Sequence, residues 1–126
     1  MPLVRIDLRK GKPAPYRQAI CNAVYRALRE TFNVPDEDRF FVVNEHDADN
    51  FQFSKSYLDI ARSDDLVVIQ MTVSDTRTRD HKKALFKRTV DLLAENPGLR
   101  REDVFISLVE VKTDDWSFGN GIAQYV

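Results

Sequence analysis

The second residue is the strongest candidate for acid–base chemistry in this sequence. Met1 precedes Pro2, and an initiator methionine before a small residue is commonly removed, which would leave a secondary amine at the chain end. An α-amino group titrates at about 7.7–8.0 in water, and burial lowers that pKa whereas nearby anions raise it. A terminal proline at the mouth of an apolar pocket can therefore act as a base or an acid near neutral pH. With Met1 attached, the Pro2 nitrogen is an amide, and Pro2 is merely the residue after the start.

Two arginines, Arg77 and Arg79, are candidates for binding a carboxylate. A guanidinium group holds a carboxylate through two parallel hydrogen bonds, a geometry that lysine cannot copy. Asp75 and Asp80 lie in the same stretch. The alternative interpretation is therefore a solvated turn in which these charges pair with one another.

Metal, thiol and phosphate chemistry are less well supported. The two histidines, His46 and His81, lie in different segments without a partner at metal-ligand spacing, so we expect no metal site. The single cysteine, Cys21, falls near the apolar face of a predicted helix, which is typical of a small buried hydrophobe. The sequence has no glycine-rich phosphate loop and no nucleophile-elbow pattern.

Composition predicts one domain, residues 1–126, in a soluble cytoplasmic protein. Hydrophobic residues make up 43% and charged residues 31% of 126 residues, with a formal charge of −1, which disfavours both disorder and a strongly basic nucleic-acid binder. The longest apolar run, 66–69, is far short of the ~20 residues that span a bilayer. Arg5 interrupts any signal-peptide core, and a lone cysteine suggests a reducing compartment.

Hydrophobic periodicity predicts a strand–helix–strand unit that occurs twice. Alternating apolar residues indicate strands, and apolar residues at three- and four-residue spacing indicate helices. The predicted elements, in chain order, are a strand at 4–8, a turn with Gly11, Pro13 and Pro15, a helix from Tyr16 that ends at Asn33–Pro35, a strand at 40–43, an irregular excursion at 46–62, a strand at 66–73, a polar turn at 74–80, a helix through Leu85–Leu93 that stops at Asn96–Gly98, a strand at 104–111, and a turn or short hairpin at 116–125.

The two units form an internal repeat, with the first at about 2–45 and the second at about 65–112. Segments 34–40 and 99–105 align at an offset of 65, and the matched residues are Glu37 with Glu102, Asp38 with Asp103, and Phe40 with Phe105. Two βαβ units with right-handed crossovers place both helices on one face of a four-stranded mixed sheet. The expected fold is therefore α+β, with a short C-terminal hairpin.

That arrangement leaves the second face of the sheet uncovered. The strand at 66–73 carries apolar residues on both sides, and a strand of this kind needs cover on both faces. We therefore expect a homo-oligomer in which uncovered sheet faces pack together. A ferredoxin-like RNA binder would instead need basic and aromatic residues on that sheet, which this apolar strand does not favour.

Three segments together resemble the malonate semialdehyde decarboxylase-like branch of the tautomerase superfamily, along essentially the whole chain. They are Met1-Pro2-Leu3 at the start, Val34-Pro35-Asp36-Glu37-Asp38-Arg39 after the first helix, and Trp116-Ser117-Phe118-Gly119-Asn120-Gly121 with Ala123-Gln124-Tyr125 near the end. The double βαβ repeat and the arginine-bearing turn after the third strand fit the same pattern. The resemblance implies a trimer and a catalytic amino-terminal proline.

Carried onto this chain, the resemblance assigns Pro2 the catalytic role. It matches Asp38 to the carboxylate that activates water or keeps the proline protonated, and Arg77 to an arginine that binds the substrate carboxylate. Arg79 offers a further guanidinium. The resemblance matches Trp116, Phe118 and Tyr125 to the aromatic wall of the pocket. Without it, Asp38 is better explained as support for the turn before the second strand, and the aromatic residues could be core or subunit contacts.

One position departs from the family pattern. The branch has two arginines two residues apart, and the first of them falls on Asp75, where an anion would repel an anionic substrate. This departure weighs against decarboxylation of malonate semialdehyde and leaves the proline chemistry open. The leading hypothesis is a tautomerase, decarboxylase or hydratase that acts on a small oxo- or unsaturated carboxylic acid. The alternative is a non-catalytic oligomeric protein that binds a small carboxylate.

Overall fold

The two repeats fold into one four-stranded sheet with both α-helices packed against the same face. The structure is a computed structural model that describes residues 1–126. Its elements are β1 (Leu3–Arg9), α1 (Ala14–Phe32), β2 (Phe40–His46), β3 (Ser56–Tyr57), β4 (Ile60–Ala61), β5 (Val67–Ser74), α2 (Arg79–Glu95) and β6 (Val104–Val111), with single 3₁₀ turns at Ala48–Asn50, Arg101–Asp103 and Thr113–Asp115. The expected α+β fold is confirmed. No helix is long and apolar enough to cross a membrane.

The sheet order is β2-β1-β5-β6, with each repeat contributing a parallel pair and the two pairs meeting antiparallel along β1 and β5. Leu3 pairs with Phe40 in the first repeat, and Val68 pairs with Phe105 in the second. Both members of the second pair lie 65 positions after those of the first. The offset read from the sequence is therefore also the structural offset, and the two halves are related by an approximate twofold axis.

Helix α1 begins earlier than the sequence pattern predicts. Pro13 is its N-cap residue and Pro15 lies in its first turn, whereas the sequence pattern assigns both prolines to a preceding turn. A proline is tolerated there because the first N–H groups of a helix have no partner inside the helix. Thr78 is the N-cap residue of α2. Its hydroxyl accepts a hydrogen bond from the His81 N–H at 3.2 Å, and this capping bond fixes the start of the helix.

The hydrophobic core lies between the sheet and the helices. It contains 18 buried residues. Alternate residues of β1 and β5, such as Val4, Ile6 and Ile69, meet the apolar helix stripes, which include Leu28 and Leu93, and all five of these side chains are fully buried. The strand period of two and the helix period of 3.6 place these side chains on the same side.

The opposite face of the sheet carries its apolar residues mainly on the two outer strands. Phe40 and Val42 of β2 are 50% and 39% exposed, and Phe105 and Val109 of β6 are 46% and 39% exposed. On β5 the same face presents Val68, Gln70 and Thr72, of which Gln70 is exposed. The uncovered face of that strand is therefore more polar than expected, and the apolar area lies at the edges.

The segment between the repeats contains a two-stranded hairpin where the sequence predicted only an irregular excursion. Strands β3 and β4 pair antiparallel around Leu58 and Asp59, whose φ angles are 55° and 59°. Two successive left-handed residues form the turn that hairpins favour. No glycine marks this turn, so the usual sequence signal is absent.

Candidate active site

The strand order brings most of the candidate residues to one end of the sheet. Leu3, at the start of β1, pairs with Phe40 at the start of β2 and with Thr72 near the end of β5. The ends of β5 and β6 are also adjacent, since Ser74 pairs with Val111. Segments that precede β1 and β2 and segments that follow β5 and β6 therefore meet at this end.

The amino terminus lies beside Asp38. The Met1 nitrogen is 3.7 Å from Asp38 Oδ2, and the side chains of both residues are largely buried, at 10% and 14% exposure. Pro2 is buried. Burial lowers the pKa of the Met1 amine, Asp38 opposes that change, and the positive charge of Arg77 adds to it. The chain start thus lies in the field of one carboxylate and one guanidinium.

Asp38 differs from its repeat counterpart, Asp103. Asp103 accepts hydrogen bonds from the Ser63 N–H at 2.7 Å and the Ser63 hydroxyl at 2.6 Å, so its buried carboxylate fixes the end of the excursion. Asp38 Oδ1 is buried with no hydrogen-bond partner. Support of the local structure therefore accounts for the side chain of Asp103 and does not account for that of Asp38.

A residue of the first repeat holds the guanidinium of Arg77 in place. Its Nη2 donates to the Phe32 carbonyl at 2.6 Å, and its guanidinium carbon lies 5.0 Å from the centre of the Phe32 ring. Its Nη1 donates to the Thr76 hydroxyl at 3.1 Å. A guanidinium has five N–H donors, so donors remain for a ligand. Arg77 forms no ion pair, so it is not the self-paired turn residue of the alternative interpretation.

Arg79 and Asp75 have different surroundings from Arg77. Arg79 is the first residue of α2 and its side chain is exposed. Asp75 is also exposed, and its backbone N–H donates to the Val111 carbonyl at 3.0 Å. The charge of Arg77 acts on the amino terminus, whereas no contact brings Arg79 to the same place.

The three aromatic candidates form one cluster after β6. The rings of Trp116 and Phe118 stack at 5.4 Å, and Tyr125 meets Phe118 edge-on at 4.9 Å. Trp116 Nε1 is buried without a hydrogen-bond partner, so an unused donor lies within this cluster. The three rings therefore form one cluster within a single chain.

The fold of this last segment depends on Gln124 and is not the predicted hairpin. Gln124 Oε1 accepts from the Phe118 N–H at 2.9 Å, and its Nε2 donates to the Gly119 carbonyl at 3.0 Å. No strand follows Val111, so the short C-terminal hairpin expected from the glycines was wrong. The side chain of Gln124 supplies bonds that a backbone ladder would otherwise make, and Asn120 takes a left-handed conformation (φ 60°).

Sequence reasoning missed the roles of Phe32 and Gln124 in shaping this region. Phe32 is the last residue of α1, and its contact with Arg77 depends on the packing of the two repeats. Gln124 was part of the C-terminal motif, and its spacing from Phe118 gave no signal of a side-chain bond. No group of three or more His, Cys, Asp or Glu side chains is placed to hold a metal ion.

Comparisons with known proteins give the family. Two models described as "Tautomerase enzyme" match residues 2–59 and 38–119. "Probable tautomerase YusQ" of Bacillus subtilis (strain 168) is 36% identical over 126 residues, with 100% of this chain and 99% of the relative covered.

Two solved structures are similar over nearly the whole chain. FG41 malonate semialdehyde decarboxylase inhibited by 3-bromopropiolate has a TM-score of 0.91 at 36% identity, covering 98% of this chain and 93% of the other. A second malonate semialdehyde decarboxylase, described with decarboxylase and hydratase activities, has a TM-score of 0.90 at 28% identity, covering 98% and 95%. These matches and the double βαβ fold lead to one conclusion: the chain belongs to the tautomerase family.

Proposed function

We propose that this protein is a cofactor-independent enzyme that uses Pro2, freed by removal of Met1, as the acid–base group on a small oxo- or unsaturated carboxylic acid. One observation carries the proposal: the chain start is largely buried beside the carboxylate of Asp38 and within the electrostatic influence of the Arg77 guanidinium. Such an environment tunes an amine for proton transfer. The similarity to malonate semialdehyde decarboxylases at 36% and 28% identity supports the same class of substrate.

The proposed reaction is a proton transfer within an enol acid. The unprotonated Pro2 amine takes the proton from the enol oxygen, and the protonated amine returns it to the neighbouring carbon, so the enol becomes the keto acid. Arg77 holds the carboxylate through two hydrogen bonds. Asp38 stabilises the cationic form of the amine, since an opposite charge within a few ångströms favours the charged state.

The charge balance of the site favours a substrate with one carboxylate. Arg77 supplies one cation, which a hydrogen bond holds in place. Where the family pattern has another arginine, this chain has the exposed residue Asp75. A ligand with two carboxylates would bring an additional anion into a region that already contains Asp38 and Asp75. Enols of 2-oxo monocarboxylic acids, such as phenylpyruvate enol, are therefore the first substrates to test.

The test combines mass spectrometry with an assay of Pro2→Ala. The purified protein should have the mass of a chain without Met1. Pro2→Ala replaces the secondary amine by a primary one and should ketonise phenylpyruvate enol at least tenfold more slowly than the parent. Full activity of Pro2→Ala, or of a parent that retains Met1, would remove Pro2 from the mechanism. Binding of small carboxylates without turnover across a panel of oxo acids would favour the non-catalytic alternative.

We also infer that the protein assembles as a homotrimer through the uncovered sheet face. This face exposes four large apolar side chains, those of Phe40, Val42, Phe105 and Val109. Burial of such surface favours association. Sedimentation should give a mass of three chains, and Phe105→Glu should lower it because a carboxylate cannot be buried unpaired. A parent protein that sediments as a single chain contradicts this inference.

A further inference from the structure

The approximate twofold axis gives the candidate active site a counterpart at the other end of the sheet. The start of β1 lies beside Asp38 at one end, and the start of β5 lies beside Asp103 at the other, 65 positions later in the chain. Lys12, which follows β1, stands at the position that corresponds to Arg77 after β5. Leu66 corresponds to Met1. The fold thus repeats the same placement of a strand start, an acidic residue and a cation.

A cavity lies at this second end. It has a volume of about 270 Å³, and Leu8, Leu66 and Tyr16 form part of its lining together with Lys12. Leu66 is buried at 2% exposure and Leu8 at 3%. Burial raises the pKa of the Tyr16 hydroxyl. The cavity therefore combines an apolar wall, a hydroxyl that stays protonated, and an ammonium group. Together these groups form an environment suited to a small carboxylate.

Cationic side chains that line the cavity already form ion pairs with carboxylates of the same chain. The ammonium of Lys12 is 3.0 Å from Asp65 Oδ1, and that contact raises the pKa of Lys12. Arg9 is 3.2 Å from Asp64 Oδ1. Arg77 has no such partner at the first site. The difference between the two ends is therefore the presence of an internal carboxylate next to the corresponding cation.

Asp65 competes with a free carboxylate for Lys12, because the fold already holds its carboxylate 3.0 Å from the ammonium group. Both side chains are partly exposed, so this competition is modest. A dissolved carboxylate must displace it and also lose its own translational freedom. Asp65 therefore opposes the binding of a free carboxylate in a cavity whose volume would admit one.

We propose that the cavity between Lys12 and Leu66 is a second pocket for small monocarboxylates that Asp65 partly closes, so that carboxylate binding favours the end with Pro2. The comparison uses the proposed role of Arg77, but the closure depends only on Lys12, Asp65 and the cavity. Replacement of Asp65 by a neutral residue opens the pocket to a ligand such as propanoate.

The experiment is a propanoate titration of ¹⁵N-labelled full-length protein at constant ionic strength. The amide signal of Gly11, which lines this cavity, reports on the second pocket, and Trp116 fluorescence reports separately on the candidate active site. Asp65→Asn should show saturable Gly11 shifts with a Kd about two- to fivefold lower than that of the parent, as expected when a partly exposed ion pair is lost. Adding Lys12→Ala to Asp65→Asn should abolish them.

Asp59→Asn is the matched control. Asp59 is an exposed residue of the same excursion, and its left-handed conformation (φ 59°) is one that asparagine tolerates, so this change removes the same charge elsewhere. Its Gly11 titration should match that of the parent. Asp65→Ala serves as the second opening variant if Asp65→Asn gives a poorly dispersed spectrum. Equal Kd values for the parent and the opened variants, or binding that survives Lys12→Ala, would overturn the proposal whether or not Pro2 proves catalytic.

Discussion

Replacement of Arg77 by methionine separates its structural role from its proposed binding role. The side chain would keep comparable length and lose every N–H donor. The Phe32 carbonyl, now bonded at 2.6 Å, would lose its partner, and an unpaired buried carbonyl costs ~1–3 kcal/mol. Loss of the guanidinium from the face of the Phe32 ring, at 5.0 Å, adds ~0.5–1 kcal/mol. The free energy of unfolding should fall by roughly 1.5–4 kcal/mol in total.

The effect on catalysis is calculated from the substrate carboxylate. Each hydrogen bond from a charged donor contributes ~1.5–3 kcal/mol, and a change of 1.36 kcal/mol corresponds to about tenfold in rate. Loss of one such bond in the transition state therefore lowers kcat/KM by roughly 10- to 150-fold. Arg77→Lys keeps the charge without the paired donors, so its kcat/KM should lie between those of the parent and of Arg77→Met.

The measurements are urea unfolding followed by Trp116 fluorescence, and ketonisation of phenylpyruvate enol followed by absorbance. Arg26→Met is the control, because Arg26 is an arginine of α1 paired with Glu30 at 3.1 Å, and an exposed pair of this kind contributes little. Its kcat/KM should stay within about twofold of the parent. If Arg77→Met loses the expected stability yet keeps the parent kcat/KM, Arg77 supports the fold and does not bind substrate.

Three further outcomes test other parts of the structure. In protein that retains Met1, Asp38→Asn should lower the pKa of the Met1 amine further, because Asp38 raises this pKa against the effect of burial. The rate of amine acylation measured against pH gives this pKa, and a profile equal to that of the parent contradicts the prediction. Gln124→Ala removes two hydrogen bonds, so it should lower the free energy of unfolding by ~1–3 kcal/mol and change the emission spectrum of Trp116. An unaltered spectrum would mean that other contacts hold the turn. Leu93→Ala leaves a cavity at a fully buried core position and should lower the free energy of unfolding, measured in urea, by ~3–5 kcal/mol. A loss under about 1 kcal/mol would mean that neighbouring side chains fill the cavity.

The repeated architecture was predictable because its signals are local. Strand alternation from Val4 to Leu8 and helical spacing through Leu85–Leu93 each follow from neighbours in sequence, and the offset of 65 linked the halves. The turn at Leu58 was not predictable, because a left-handed leucine has no sequence signature. The C-terminal hairpin was wrong because glycine permits a turn without specifying which groups close it.

The candidate site was predictable in its residue types and less so in its contacts. Topology brings Pro2, Asp38 and Arg77 to the same end of the sheet once the strand order is known. The bond from Arg77 to the Phe32 carbonyl joins residues 45 positions apart, and it depends on how one helix end meets the opposite repeat. Periodicity describes the elements and contains no information about such long-range polar contacts.

The antiparallel meeting of the two halves along β1 and β5 has a consequence for how the protein could be divided. Pro2 and Asp38 come from the first half, whereas Arg77 and the aromatic cluster come from the second. Each half keeps its own parallel ladder and its own helix, so a chain cleaved within the excursion would yield two fragments that each retain a complete βαβ unit. Neither fragment has all the proposed catalytic groups, and only their reassociation would regenerate the set, as in a heterodimer.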